Sequence, residues 1–193
     1  MSFTSNAYHP GNKEFIPMDE LIETNEFQNL TTAFKTELYL QNDTDYTESD
    51  YSAIICKGDQ VAAVSSKYEL VLHENAFINV VTTLNKAGIN MQGRVNDFGK
   101  TAWLDMVFEN MKITDPSGSE VNLGYSVRNS YDRSSGLNIF PFAVRGICSN
   151  GMIFNETPKL KGLMDIISVS HMGEVLSRLG NRLKGLKIGR AHV

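Results

Sequence analysis

The sequence predicts a single α+β domain, an antiparallel β-sheet meander with helices packed on one face. Three observations carry that prediction. Two β-prone runs in SAIICKGDQVAAVSSKY flank Lys57-Gly58-Asp59, the pattern of a tight hairpin. In HENAFINVVTTLNKAG, residues Phe77, Ile78, Val81, Leu84 and Ala87 recur at helical spacing, and Gly88 stands where a helix C-terminus wants a residue with positive φ. Beyond it, further β-prone runs are separated by turn clusters too short to hold crossover helices, so neighbouring strands must pair antiparallel.

The elements follow in order. Residues 1–49 form an acidic lead-in, expected to be partly disordered; MDELIETNEF suits a short helix, and QNDTDYTESD is polar enough to read as loop. The α+β domain spans 50–186. After the first hairpin and the helix over 74–87, INMQGRVND and TAWLDMVFENMKI make a second hairpin around Phe98-Gly99-Lys100. There Leu104, Met106 and Phe108 alternate with Trp103, Asp105, Val107 and Glu109. VNLGYSVRNSYD and LNIFPFAVRGICSN read as further strands, and Pro141 assigns the latter to a sheet edge or a bulge. A second helix is expected over 163–186, with Met172, Val175, Leu176, Leu179, Leu183 and Leu186 as its apolar stripe and His171, Glu174, Arg178 and Arg182 opposite.

The final residues read differently. Ile188 to Val193 spell in full the peptide that the start of a common short-read sequencing adapter encodes ahead of a stop codon. Residues 187–193 are therefore expected to be adapter-encoded, with the natural chain truncated near Leu186, and neither Arg190 nor His192 is given a role.

Length and composition exclude several function classes. At 193 residues and 41% hydrophobic, the chain can bury one sizeable core. No run approaches the roughly 18 apolar residues that cross a bilayer, and the N-terminus has no charged start followed by an apolar block. A cytoplasmic protein without membrane contact is the expectation. The two cysteines, Cys56 and Cys148, stand alone in apolar runs and read as buried thiols. No His/Cys cluster has metal-ligand spacing, so no metal and no cofactor are expected. Cys148 as a nucleophile would need His73 or His171 as its base, and no hydrolase spacing supports that pairing. Asp97-Phe98-Gly99 lacks every other part of a kinase and reads as a turn. No catalytic constellation is visible.

Charge offers more. Residues 1–85 hold 4 Lys, no Arg and 13 Asp/Glu, a balance of −9; residues 86–193 hold 14 Lys+Arg against 9 Asp/Glu, a balance of +5. Within the basic half, GYSVRNSYDRSSGLNIFPFAVR interleaves Tyr125, Tyr131, Phe140 and Phe142 with Arg128, Arg133 and Arg145, and RLGNRLK adds Arg178, Arg182 and Lys184. Rings that stack on bases beside cations that meet phosphates are what a single-strand binder needs. On this reading Arg128, Arg133, Arg178, Arg182 and Lys184 contact phosphates, and Tyr125 or Tyr131 stacks on bases. Arg145 either joins them or orders the turn after Cys148. The competing reading of the same rings is sheet core.

From VAAVSSKYELVLHENAF onward the chain resembles the phage/plasmid-like proteins grouped as domain of unknown function 932. The resemblance rests on Val-Ser-x-x-Tyr at Val64–Tyr68, His73-Glu74-Asn75 with Phe77 opening a helix, Arg-x-x-Cys-x-Asn at Arg145–Asn150, and a helix-borne His171. It covers roughly residues 50–186 and implies a mobile-element context with no settled activity. The implied order of hairpin, helix, meander and helix is similar to that of single-strand-annealing recombinases, a likeness of fold alone. Non-specific binding of single-stranded DNA or RNA in recombination or replication is the leading expectation, with a homo-oligomer as one way to gather enough positive charge. The alternative is a protein-interaction module of a mobile element, acting on a host or defence protein through the acidic first half.

Overall fold

The computed structural model describes residues 13–41, 44–114, 118, 120–145, 152–153 and 164–185. The chain opens with a two-residue strand, Ile16–Pro17 (β1), and two short helices, Met18–Glu23 (α1) and Asn25–Gln28 (α2). Thr24 starts α2 because its hydroxyl accepts the Phe27 amide, satisfying a donor that the helix itself cannot. Ala33–Gln41 (β2), Tyr46–Cys56 (β3) and Asp59–Ser65 (β4) form a three-stranded antiparallel sheet in that order. The helix His73–Lys86 (α3) follows. Then come Met91–Asp97 (β5), Thr101–Thr114 (β6), Glu120–Ser130 (β7), Leu137–Arg145 (β8), Met152–Ile153 (β9) and Ile167–Val169 (β10), and the helix Val175–Lys184 (α4). The large sheet runs β1-β5-β6-β7-β8-β10, with β9 paired to the far end of β8, every pairing antiparallel.

The α+β architecture with helices on one face is therefore what the chain adopts. One core holds Met18 and Leu21 of α1, Phe77, Val80 and Leu84 of α3, Val175, Leu179 and Leu183 of α4, and the sheet residues Leu104, Met106, Val127 and Ile139. Burying side chains of this size contributes about 1.5–3 kcal/mol each. Local chemistry places the boundaries. Lys57 and Gly58 both take positive φ (52° and 88°), the turn that suits the twist of a two-residue hairpin. At the end of α3, Gly88 (φ 76°) lets its own amide reach the Asn85 carbonyl and the Ile89 amide reach Leu84. Pro141 falls between the stretch of β8 covered by β10 (137–139) and the stretch covered by β9 (142–143), a local edge where a missing donor costs nothing.

Four expectations need correction. The strands form two sheets, and the first hairpin belongs to the smaller. The segment 46–50, read as loop, is the outer half of β3, so a boundary at residue 50 cuts a strand; the lead-in also supplies α1, α2 and β2. The second helix begins at Val175, since 167–169 is strand and Gly173 and Glu174 both adopt left-handed φ (46° and 51°), which stops a right-handed helix from extending backwards. His171 and Met172 consequently lie in a turn, off the helix. Cys148, the Ser149-Asn150 turn and residues 186–193 lie outside the described residues.

Candidate nucleic-acid interface

The residues expected to bind nucleic acid separate into three groups. Tyr125 and Tyr131 are fully buried and present no ring face to a ligand. Tyr125 stands edge-on to Phe108 within the main core, and Tyr131 is stacked on His73 with ring centroids 3.8 Å apart. Their base-stacking role is overturned by that burial. Arg128 lies on the other side of the large sheet from the helices, its guanidinium 3.9 Å above the Trp103 ring and 5.5 Å from Phe140. Only the backbone of Arg145 is described, at the end of β8.

The third group does converge. Arg178 and Arg182, one turn apart on α4, are each held by a backbone carbonyl of the preceding segment: Arg178 donates to Ser170 O (2.6 Å) and to Met172 O, and Arg182 to Ser168 O (2.6 Å). Lys184 is exposed on the same helix. The turn they grip leads back to Arg133. Met172 bridges Tyr68, the Tyr68 ring lies parallel to His171 at 5.1 Å, and the Arg133 charge acts on the Tyr68 phenol. Arg133 has positive φ (63°) and donates to Ala63 O, so it is fixed between the turn after β7 and β4.

Sequence reasoning missed the rest of this end of the molecule. The turns β3–β4, β5–β6 and β7–β8 meet here. Lys57 Nζ lies 3.5 Å from where a Cβ on Gly99 would sit, the Tyr131 amide donates to Lys100 O (2.7 Å), and Lys100 pairs with Asp132 at 3.4 Å. Phe98, 52% exposed, stands edge-on to Trp103. The signal was present, because alternate turns of a meander share one end, which groups Phe98 and Lys100 with Arg133. Asp97 also stands there, its carboxylate held by Thr31 N, Thr31 Oγ1 and Gly99 N, each at 2.7 Å.

Beneath the turns lie the two histidines of the sequence motif. His73 is fully buried, with Nε2 donating to Gly99 O (3.1 Å) and Nδ1 accepting from Asn129 (3.0 Å), an arrangement that occupies both nitrogens. Burial pushes its pKa down to about 4, so it is neutral at neutral pH. His171 donates from Nδ1 to Glu69 O and is likewise shifted down by burial. Burial pushes the Cys56 thiol up, away from the reactive thiolate. With both nitrogens committed to Gly99 and Asn129, His73 holds the turns in place and is not poised to act as a base.

The opposite face of the large sheet carries a buried ion pair. Arg94 and Asp105 face each other across β5 and β6, 3.3 Å apart and 2% and 1% exposed. Asp105 also accepts the Ser126 hydroxyl at 2.7 Å, and Arg94 stacks on Phe15 at 4.5 Å. Burial raises the Asp105 pKa, and Ser126 and Arg94 oppose that shift. Such a pair is costly to break, which marks it as architecture.

Among the described residues no group of three or more His, Cys, Asp or Glu side chains is placed to hold a metal ion, and no helix is long and apolar enough to cross a membrane. No curated protein and no solved structure matches the chain. A family model described as Domain of unknown function (DUF932) matches residues 60–192, a span that takes in Tyr68, His73, Arg133, His171 and all of α4. With well over half its length matched, the chain belongs to the domain of unknown function 932 family.

Proposed function

We propose that this domain binds single-stranded DNA or RNA through its phosphates, without sequence preference, in the recombination or replication of a mobile element. The observation that carries the reading is the pair Arg178 and Arg182, whose guanidinium groups are pre-oriented by carbonyls of residues 168–172. Arg133, Lys184, Lys57 and Lys100 extend the cationic strip around the turns. Side chains held in place by the fold lose little entropy on meeting a phosphate. Stacking falls to Phe98 in place of the buried tyrosines. Arg128 is not part of the strip.

Each neutralised phosphate releases counterions, so affinity falls with salt as a straight line in log–log form. Fluorescence anisotropy with a labelled single strand across a salt series tests this. Arg182→Glu/Lys184→Glu is expected to weaken binding to all sequences alike and to lower the slope by about two, one for each phosphate left without its cation. Arg128→Ala is expected to leave the slope unchanged. No binding by the wild-type chain at low salt overturns the proposal.

A second reading is favoured by one specific observation. The outer part of the β2–β3 hairpin presents Tyr39 (58% exposed) and Tyr46 (71%) beside Glu37, Glu48 and Asp50. An acidic face set with tyrosines suits a basic protein partner, such as a host or defence protein. Capture of a protein partner that no longer binds Tyr39→Ser/Tyr46→Ser, with no affinity for nucleic acid, would decide for this reading.

A further inference from the structure

Between α3 and α4 runs a groove of about 680 Å³, within the size range of small-ligand sites. Leu84, Ile89, Met111 and Leu176 give it apolar walls. Asn79 stands among them, and its side-chain Oδ1 is enclosed without a hydrogen-bond partner. Buried acceptors are almost always paired, so an orphaned one calls for a donor. A half-turn about the last side-chain bond exchanges Oδ1 and Nδ2, so this amide can offer either atom to the groove. Gly180 faces it from the interior of α4: a Cβ there would lie 3.9 Å from Asn79 Oδ1, an ordinary contact. Packing therefore does not require glycine at 180, and glycine inside a helix is unfavourable. What the missing side chain provides is room beside the amide. Lys86 and Lys184, both exposed, complete the chemistry, and among the described residues that line the groove there is no Asp or Glu.

We propose that this groove binds a nucleotide, its base beside Gly180 and Asn79 and its phosphate at Lys86 and Lys184. A side-chain amide pairs with the edge of adenine through two bonds, the base donating from N6 and accepting at N7. The phosphate answers two lysines that no acid of the lining neutralises. Asn79 and Lys86 are seven residues apart on α3, about 10.5 Å along its axis, a separation that suits a base edge and its 5′-phosphate. An acidic peptide would also answer the lysines, but the gap left by one missing side chain admits the edge of a flat ring more readily than a backbone with its side chains. Arg178 and Arg182 donate to residues 168–172 and take no part in the lining. The nucleotide is either free or one unit of a strand crossing α4; the first source needs nothing from the strand-binding reading, and the second rests on it.

Isothermal titration calorimetry of the full chain with adenosine 5′-monophosphate tests the site. The wild type is expected to bind it more tightly than adenosine, which lacks the phosphate, and than ribose 5-phosphate, which lacks the base. Gly180→Leu fills the gap and should abolish that binding; leucine is the better helix former, so its circular dichroism melt should not fall below the wild type. Lys86→Glu, at an exposed position, should weaken the monophosphate by about tenfold, the loss of one charged contact, and leave adenosine unchanged. Anisotropy with a labelled single strand separates the two sources. If Gly180→Leu also binds the strand more weakly, with an unchanged salt slope, the occupant is a strand unit; if it binds the strand as the wild type does, or if the wild type binds no strand, the occupant is a free nucleotide. A wild type that does not bind the monophosphate, or a Gly180→Leu chain that binds it equally well, overturns the proposal, whatever the strand measurement says of the cationic strip.

Discussion

At the scale of single residues, His73 shows how an imidazole becomes structural. It begins α3, stacks on Tyr131, and commits both nitrogens to Gly99 and Asn129. Its folded pKa of about 4 lies below the roughly 6.5 of an unfolded chain. As pH falls the unfolded state binds the proton first. The stabilisation is therefore complete above about pH 6.5 and is lost progressively towards pH 4, on the order of 3 kcal/mol in all. His171 shifts in the same direction and adds to the loss. Urea unfolding at pH 7.5 and pH 5 is expected to show a lower midpoint at pH 5, and His73→Gln should narrow the gap between the two. The importance of His73 was legible as a motif letter; its neutrality was not, because burial and the Asn129 contact come from strands far along the chain.

Among the elements, those read correctly from sequence are those whose ends are fixed locally. The helix expected over 74–87 is found over 73–86, since its periodicity and its glycine terminator are all within reach of one another. The end of α4 nearest β10 has no such local signal. Its first amide, Val175 N, is met by the Glu69 carboxylate at 3.2 Å, from a residue 106 positions earlier. Tyr125 and Tyr131 defeat a sequence reading for a related reason. β7 is buried on both faces over most of its length, so its sequence shows no alternation to say which rings point inward. That burial has a mechanical counterpart at Gly124, paired between Val107 of β6 and Phe142 of β8. A Cβ there would lie 1.7 Å from Met106 O, a backbone atom that cannot step aside. Gly124→Ala is expected to destabilise the domain by about 3 kcal/mol or more, in line with severe strain in a packed interior, or to abolish folding. Chemical denaturation followed by tryptophan fluorescence would measure it, Trp103 lying on the adjacent strand.

At the scale of the whole molecule, the charge asymmetry of the sequence becomes a division of surfaces. The acidic half builds the small sheet and its outer hairpin, while the basic half places Arg133, Arg178, Arg182 and Lys184 around the turns and α4, with Arg128 and Arg94 on the far face of the large sheet. Composition foretold the two halves, and only the fold could divide the arginines between opposite sides. The same fold sets an order of assembly. β5, β6, β7 and β8 pair with their immediate neighbours and can zip together early. The phenol of Tyr131, by contrast, donates to Thr31 O (2.8 Å) across 100 residues and accepts the His73 amide (2.9 Å) across 58. So distant a closure incurs its loop entropy before it is rewarded, which favours its formation after the main barrier. Tyr131→Phe strands both partners inside the protein, at about 1–3 kcal/mol. In stopped-flow kinetics that loss should fall on the unfolding limb, faster by about fivefold to 150-fold, with the folding limb unmoved. The hydroxyl acts as a latch on the finished fold, governing how long the native state lasts once formed.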